Sequence, residues 1–297
     1  MPYVLPQFLV PAALLAFVLG ACVGSFVNCA ALRRETGESV LTGRSHCPHC
    51  GQTLGALELI PLLSWLLQRG KCTHCGASLS ARYPLVELVA GISFAAIVVA
   101  DALWGEAFSL HTLHWLILAS ILLYASLVDI DSRTIPDACI LAAIAVRVAY
   151  IVLAGPVLGQ IDASAVALES LIGAFAIALP LLAVVLIADR VLGRDSMGGG
   201  DIKLFFVAGL YFGWRACLFL IMIACFIGII SALVKQQREL KAHEERASIL
   251  EEVGFTGEAE ELNLRHAPIV FGPAIAAACI ITMVVGRQLV MWYAGLF

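Results

Sequence analysis

The chain has 297 residues, of which 61% are hydrophobic and 13% charged, with a formal net charge of −4. Soluble domains carry about 25% charged residues, so this composition excludes an ordinary soluble enzyme and describes a polytopic membrane protein. The expected surroundings are a lipid bilayer, and no nucleic-acid partner is expected.

Residues 1–32 contain no charged side chain, and the first basic pair, Arg33 and Arg34, follows the apolar run. A secretory signal would begin with a basic stretch, so the run predicts a first spanning helix. At about 20 residues per span, hydropathy predicts helices near 8–32, 83–100, 112–128, 138–156, 165–189, 201–214, 216–234 and 267–286. The expected fold is therefore all-α and polytopic, with about eight transmembrane helices and a short sixth one. A small cytoplasmic domain is expected between the first two helices. Three units are anticipated: the first helix over 1–32, a cytoplasmic region over 33–82, and a membrane-embedded region over 83–297.

Most of the 18 Lys and Arg residues fall on one side of these spans, leaving Arg215 and Arg287 opposite and Arg147 inside a span. By the positive-inside bias, the 33–82 and 235–266 loops face the cytoplasm and both termini face outward. Pairs such as Lys235/Glu239 and Lys241/Glu245 have helical spacing, so the 235–266 insertion is read as including a solvated structural helix. No internal repeat is evident. Arg147, midway along a span, calls for a carboxylate partner, and Glu169 matches its depth.

Four of the 10 cysteines form "CPHC" (Cys47, Cys50) and "CTHC" (Cys72, Cys75), separated by 21 residues. Two Cys-x-x-Cys knuckles at this spacing place four thiolates around Zn²⁺. Disulfides are disfavoured in a reducing cytoplasm. A closed four-thiolate site has no open position, so the metal is expected to be structural, with His49 and His74 as exposed loop residues. The other cysteines read as small packing residues.

Two carboxylate sites lie at cytoplasmic ends of spans, "SLVDIDSRTIPD" and "GGGD". Acids at this depth must face water, a partner or each other. Two that share a proton can act as base and acid. The bland roles are a helix start for Asp137, a loop ion pair between Asp131 and Arg133, and a helix start for Asp201.

"GGGD" at 198–201 resembles the Gly-x-Gly-Asp signature of intramembrane aspartyl proteases, and "DIDSRTIPD" at 129–137 resembles the first aspartate motif of bacterial type IV prepilin peptidases. "GSFVNCAALRR" at 24–34, the two knuckles, "IPLLSWLLQRGKC" at 60–72, "RYPLVEL" at 82–88 and "FGP" at 271–273 extend the resemblance over nearly the whole chain. The resemblance implies a catalytic pair at Asp129 and Asp201, which would remove the basic leader of pilin-like precursors after a glycine at the cytoplasmic face of the inner membrane. It further implies methylation of the new amine by S-adenosylmethionine. No Rossmann-type glycine fingerprint anchors a methyl-donor site, so Gly70 and Lys71 of "RGKC" are the candidates there. Gly198, Gly199 and Gly200 would let backbone approach an extended substrate, with Lys203 at the rim. Two alternatives differ in class: a presenilin-like protease on other membrane substrates, or a scaffold presenting a zinc ribbon. The first expects Tyr-Asp and Pro-Ala-Leu motifs where this chain has Val128-Asp129 and Phe271-Gly272-Pro273. The second explains the cysteines but not the aspartates.

Overall fold

The computed structural model describes residues 6–40, 42–105, 108–193, 197–252 and 270–295. The helices are α1 (Pro6–Thr36), α2 (Leu63–Leu67), α3 (Arg82–Leu103), α4 (Leu110–Ser132), α5 (Asp137–Val152), α6 (Ala163–Leu192), α7 (Gly199–Glu252) and α8 (Gly272–Ala294). All except the short α2 are long and apolar enough to cross a membrane, giving seven candidate spans among the described residues.

Helix boundaries follow local chemistry. The Ser109 hydroxyl caps α4 by accepting from the Thr112 N–H, and Arg133 ends it in the left-handed conformation at φ 56°. The Asp162 carboxylate caps α6 through the Ser164 and Ala165 N–H groups, and Gly193 closes that helix at φ 65°. The two capping side chains take up amides left unpaired at the N-terminal ends, and the backbone N–H groups of Arg133 and Gly193 donate to the carbonyls of Asp129 and Asp189 at the C-terminal ends.

The apparent 44-residue span Gly199–Ala242 is two arms. Gly213 breaks it with φ 68° and ψ 170°. The Phe205 ring lies 6.3 Å from the Phe271 ring, while a Cβ on Gly228 would come within 2.5 Å of that same ring. In a straight helix residues 205 and 228 would be roughly 34 Å apart at 1.5 Å per residue, so the chain doubles back at Gly213. Eight helical segments therefore run through the bundle, as hydropathy predicts. The close approach of α6 to α7 at this turn depends on small residues: a Cβ on Gly173 would meet the Gly213 Cα at 2.7 Å, and one on Gly209 would meet the Ala174 Cα at 2.7 Å. Such contacts allow van der Waals packing where lipid supplies no hydrophobic drive between helices.

The main core lies where α4, α5, α6, α7 and α8 meet, around Leu118, Leu122, Phe205, Leu220 and Ile275. Large apolar side chains such as Leu15, Val184 and Ile187 remain exposed on the outer faces, as lipid contact requires. Arg147 is buried but is not ion-paired with Glu169 as expected. Its Nε and one terminal nitrogen donate to Ser170 Oγ at 3.2 and 3.0 Å, and its guanidinium sits 5.6 and 5.3 Å from the Tyr150 and Tyr211 ring centroids. Depth alone selected Glu169. Ser170 and two aromatic faces make the direct contacts, and Glu169 acts on the guanidinium only through its charge, from beyond salt-bridge distance.

The polar insertion is helical through Glu252 as the end of α7, and Lys235 approaches Glu239 at 3.9 Å. Residues 253–269 and the Glu245 side chain lie outside the described residues.

Candidate active site and metal centre

The α1–α3 connection folds around two copies of one turn, contrary to the expectation of no internal repeat. "SHCPHCGQTL" at 45–54 and "GKCTHCGASL" at 70–79 adopt the same hydrogen-bond pattern. In the first, Gly51 N–H donates to Cys47 O at 2.9 Å and Cys47 N–H to Gln52 O at 2.9 Å; in the second, Gly76 N–H donates to Cys72 O at 2.9 Å and Cys72 N–H to Ala77 O at 2.8 Å. Gly51 and Gly76 both turn at positive φ, 70° and 71°, a conformation that favours glycine. Single β-bridges close each copy, His46 with Thr53 and Lys71 with Ser78. Each unit is only ten residues long, too short to stand out as a repeat in the sequence.

The two turns face each other. The sulfurs of Cys47, Cys50, Cys72 and Cys75 all lie within 4.8 Å of one another, and Cys47 Sγ is 4.0 Å from Cys75 Sγ. Four thiolates around Zn²⁺ at about 2.3 Å would stand roughly 3.8 Å apart, so the donor set fits a metal ion of that kind. Backbone N–H groups of Cys50 and His49 hold the Cys47 thiol down to about 7. At Cys75 the Ala77 N–H favours the thiolate, but desolvation and the neighbouring thiols push it up to about 11. Crowded thiols resist ionising together unless a cation compensates. His49 and His74 are exposed, and His74 faces Glu58 at 3.6 Å.

The two aspartates sit at the same end of the bundle. Asp129 occupies the last turn of α4 and is only 6% exposed. Its Oδ2 accepts the Gly272 N–H at 3.0 Å, an amide in the first turn of α8. A side chain at position 272 would occupy the space the Asp129 carboxylate fills. Asp201 lies in the first turn of α7, with its N–H bonded to Gly198 O at 3.1 Å. The Asp129 charge bears electrostatically on Asp201. Of the three glycines, only Gly200 is closely packed: its Cβ would lie 3.1 Å from Ile135 Cβ. Gly199 faces open space, and a Cβ on Gly198 would lie 3.4 Å from an Asp201 oxygen. None of the three has positive φ.

The remaining acids are engaged elsewhere. Asp131 pairs with Arg82, not with Arg133: both guanidinium terminal nitrogens reach its oxygens at 2.6 Å. Arg82 Nε also donates to Asn28 Oδ1 at 3.0 Å, so one fork ties α1, α3 and α4 together. Arg133 stands just beyond the helix in the left-handed conformation, at φ 56°. Asp137 starts α5 and accepts Lys203 Nζ at 2.6 Å, both side chains being exposed. Gly70 turns at φ 67° under the Trp65 ring, and Lys71 forms the second turn's bridge.

Residues 18–100 match the bacterial Peptidase A24 N-terminal domain, and residues 116–233, which include both aspartates, match the type IV leader peptidase family. Proteins called prepilin leader peptidase/N-methyltransferase are similar over much of the chain. That of Stutzerimonas stutzeri is 30% identical over 94% of this chain and 93% of its own length. That of Aeromonas hydrophila is 31% identical over 87% and 77%. This chain belongs to the type IV leader peptidase family. The protein of that name from Myxococcus xanthus is 35% identical over 75% of this chain, which spans only 62% of that relative. No solved structure matches.

In this family member two positioning groups escaped sequence reasoning. The Gly272 amide belongs to "FGP", and nothing in that tripeptide names a residue 143 positions away as its acceptor. Glu87 accepts the Leu62 N–H at 2.7 Å, although its place in "RYPLVEL" suggests only an acid misplaced in an apolar helix.

Proposed function

We propose that this protein removes the leader of type IV prepilins and pseudopilins with Asp129 and Asp201, and methylates the amine so exposed. The observation that carries the reading is the placement of two aspartates at helix ends on the same side of the bundle, Asp129 in the last turn of α4 with its carboxylate oriented by the Gly272 amide and Asp201 in the first turn of α7. With Oδ2 of Asp129 held by Gly272, its other oxygen is free for water. In an aspartate pair sharing one proton, the ionised partner takes a proton from water as the oxygen attacks the scissile carbonyl, and the protonated partner donates to the carbonyl oxygen. As the tetrahedral intermediate collapses, the aspartate that took the water proton donates it to the amide nitrogen, and the other aspartate recovers the proton from the carbonyl-derived hydroxyl. The C–N bond breaks, the leader leaves with a carboxyl terminus, the pilin keeps its amine and the shared proton is restored. Gly198 and Gly199 leave room beside Asp201 for an extended chain.

The charge asymmetry of the loops supports an inner-membrane location with this end toward the cytoplasm. Cys47, Cys50, Cys72 and Cys75 would hold a structural zinc, whose role is to fix the two turns. S-adenosylmethionine would supply the methyl group. Gly70 and Lys71 remain its proposed contacts, and a cavity of about 340 Å³ bounded by His49, Ser78, Ser80 and Tyr83 lies close by. Lys203 is proposed for the rim of the peptidase site, where Asp137 holds it.

Co-expression with a pilin precursor and mass spectrometry of the product tests both activities. The expected spectrum shows leader loss together with one added methyl group; an intact precursor would overturn the reading.

A further inference from the structure

The connection between α1 and α3 contains a stretch whose chemistry does not match a solvated loop. Leu63, Leu66 and Leu67 are 56%, 62% and 81% exposed, and Leu59 and Ile60 beside them are exposed too. The polar side of the stretch is already occupied: Glu58 accepts the Thr73 hydroxyl and the Gly55 N–H and faces His74. What remains outward is apolar.

Depth is fixed by Glu87. The Leu62 N–H donates to its Oε2 at 2.7 Å, and from Arg82 to Glu87 is roughly 7 Å along α3 at 1.5 Å per residue. A Cβ on Gly24 of α1 would lie 3.2 Å from the Glu87 Cα. From Gly24 to Arg33, where the charges of α1 begin, is roughly 13 Å. Leu62 is thus drawn below the level of the cations that mark the membrane surface, between helices that span it. Irregular backbone at that depth must have its polar groups satisfied by protein. Here Ser64 N–H reaches Ile60 O at 3.0 Å, Leu66 N–H reaches Leu62 O at 3.1 Å, and the carboxylate takes the Leu62 amide, whose φ of 63° no regular element would pair. Exposed Arg69 and Lys71 follow immediately, where anionic headgroups would meet them.

We infer that residues 60–67 form a re-entrant membrane element, inserted in the leaflet on the aspartate side and pinned by Glu87, which seats the cysteine loop on the bilayer. The occupant of the leucine face is lipid acyl chain. A pilin precursor's own apolar helix is the competing occupant, and the experiment separates the two. The inference does not rest on the peptidase reading, and leader cleavage by the same preparations reports on that reading separately.

The photoreactive residue benzoylphenylalanine is placed at Leu63 or Leu66, with Gln52 on the first cysteine turn as control, in the full chain in native membranes beside a co-expressed pilin precursor. Irradiation is expected to give phospholipid adducts from both leucine positions and none from Gln52. Adducts with the precursor in place of lipid would overturn the inference, as would the absence of adducts with either. Glu87→Ala in the Leu66 probe chain should lose the lipid adduct while the protein keeps its metal; an unchanged adduct would remove Glu87 as the anchor.

Discussion

The four thiolates of the α1–α3 connection come from two turns that each close on their own hydrogen bonds, whereas Asp129, Asp201 and Gly272 come from the ends of three separate helices. The first region gathers its four cysteines within residues 47–75 and repeats one solution twice. The second depends on the packing of α4, α7 and α8, and its key amide lies 143 residues from the carboxylate it orients. Local hydrogen bonds fix the one; tertiary placement fixes the other. Under the proposed function the two should respond differently to perturbation: loss of a cysteine would act through the metal it is proposed to hold, and displacement of a helix end would act through cleavage.

The largest expected effect is on cleavage. Asp129→Asn and Asp201→Asn should each lower leader removal by about 1,000-fold or more, with the double variant little worse, because members of one catalytic unit are strongly non-additive. Asparagine preserves shape but cannot exchange the proton. Both folded variants should retain metal and still methylate a pre-cleaved pilin, since the thiolates lie in the other region. Near-normal leader removal by either purified variant would break the proposed pair.

Next comes Gly272→Ala. Its methyl group would claim the place of the Asp129 carboxylate, and misplacing a catalytic group by about 1 Å costs on the order of 100-fold. The assay is again leader removal, with thermal unfolding in detergent to show that the variant folds. Full activity would mean that the carboxylate works from another position.

The metal region gives the third effect. A loop of fewer than about 40 residues buries too little apolar surface to hold itself together. Cys50→Ser or Cys72→Ser should therefore lose the bound metal and make residues 45–80 sensitive to protease, both measurable by elemental analysis and limited digestion. Purified protein without zinc would end the assignment of that metal.

Much of this contrast was legible in the sequence because its signals are local. "CPHC", "CTHC" and "GGGD" each carry their chemistry within a few residues, and the long apolar runs announce helices. Partner choice was less legible. Arg133 is nearer to Asp131 in sequence, yet Arg82 takes the carboxylate from another helix. Glu169 matches Arg147 in depth, but Ser170 and two tyrosine faces are what it meets. In each case spacing predicted that compensation must exist, and only packing decided who supplies it.

The Arg82 fork offers a smaller test on the structural side of the comparison. Asp131→Asn removes one charge from a partly buried bidentate pair that also engages Asn28, and should destabilise the bundle by about 1–3 kcal/mol. It should lower the thermal midpoint while leaving most of the cleavage activity per folded molecule. A loss of cleavage equal to that of Asp129→Asn would place Asp131 among the reacting groups.

The smallest effect is expected where a contact looks strong but stands in water. Lys203 Nζ meets Asp137 Oδ1 at 2.6 Å, yet the two side chains are 53% and 71% exposed. Solvent screening and side-chain entropy leave such pairs worth about 0–1 kcal/mol, so Asp137→Asn should leave stability nearly unchanged. Its effect on cleavage separates two roles for the lysine. If Lys203 serves only to join α7 to α5, Lys203→Gln and Asp137→Asn should both leave kcat/KM within about threefold of the parent, a change under 1 kcal/mol. If it positions substrate at the rim, Lys203→Gln should raise KM with kcat unchanged, because uniform binding is lost. Asp137→Asn, which frees the ammonium, should then act in the opposite direction. Equal and opposite shifts in KM would assign Lys203 to the substrate; two flat results would return it to the scaffold.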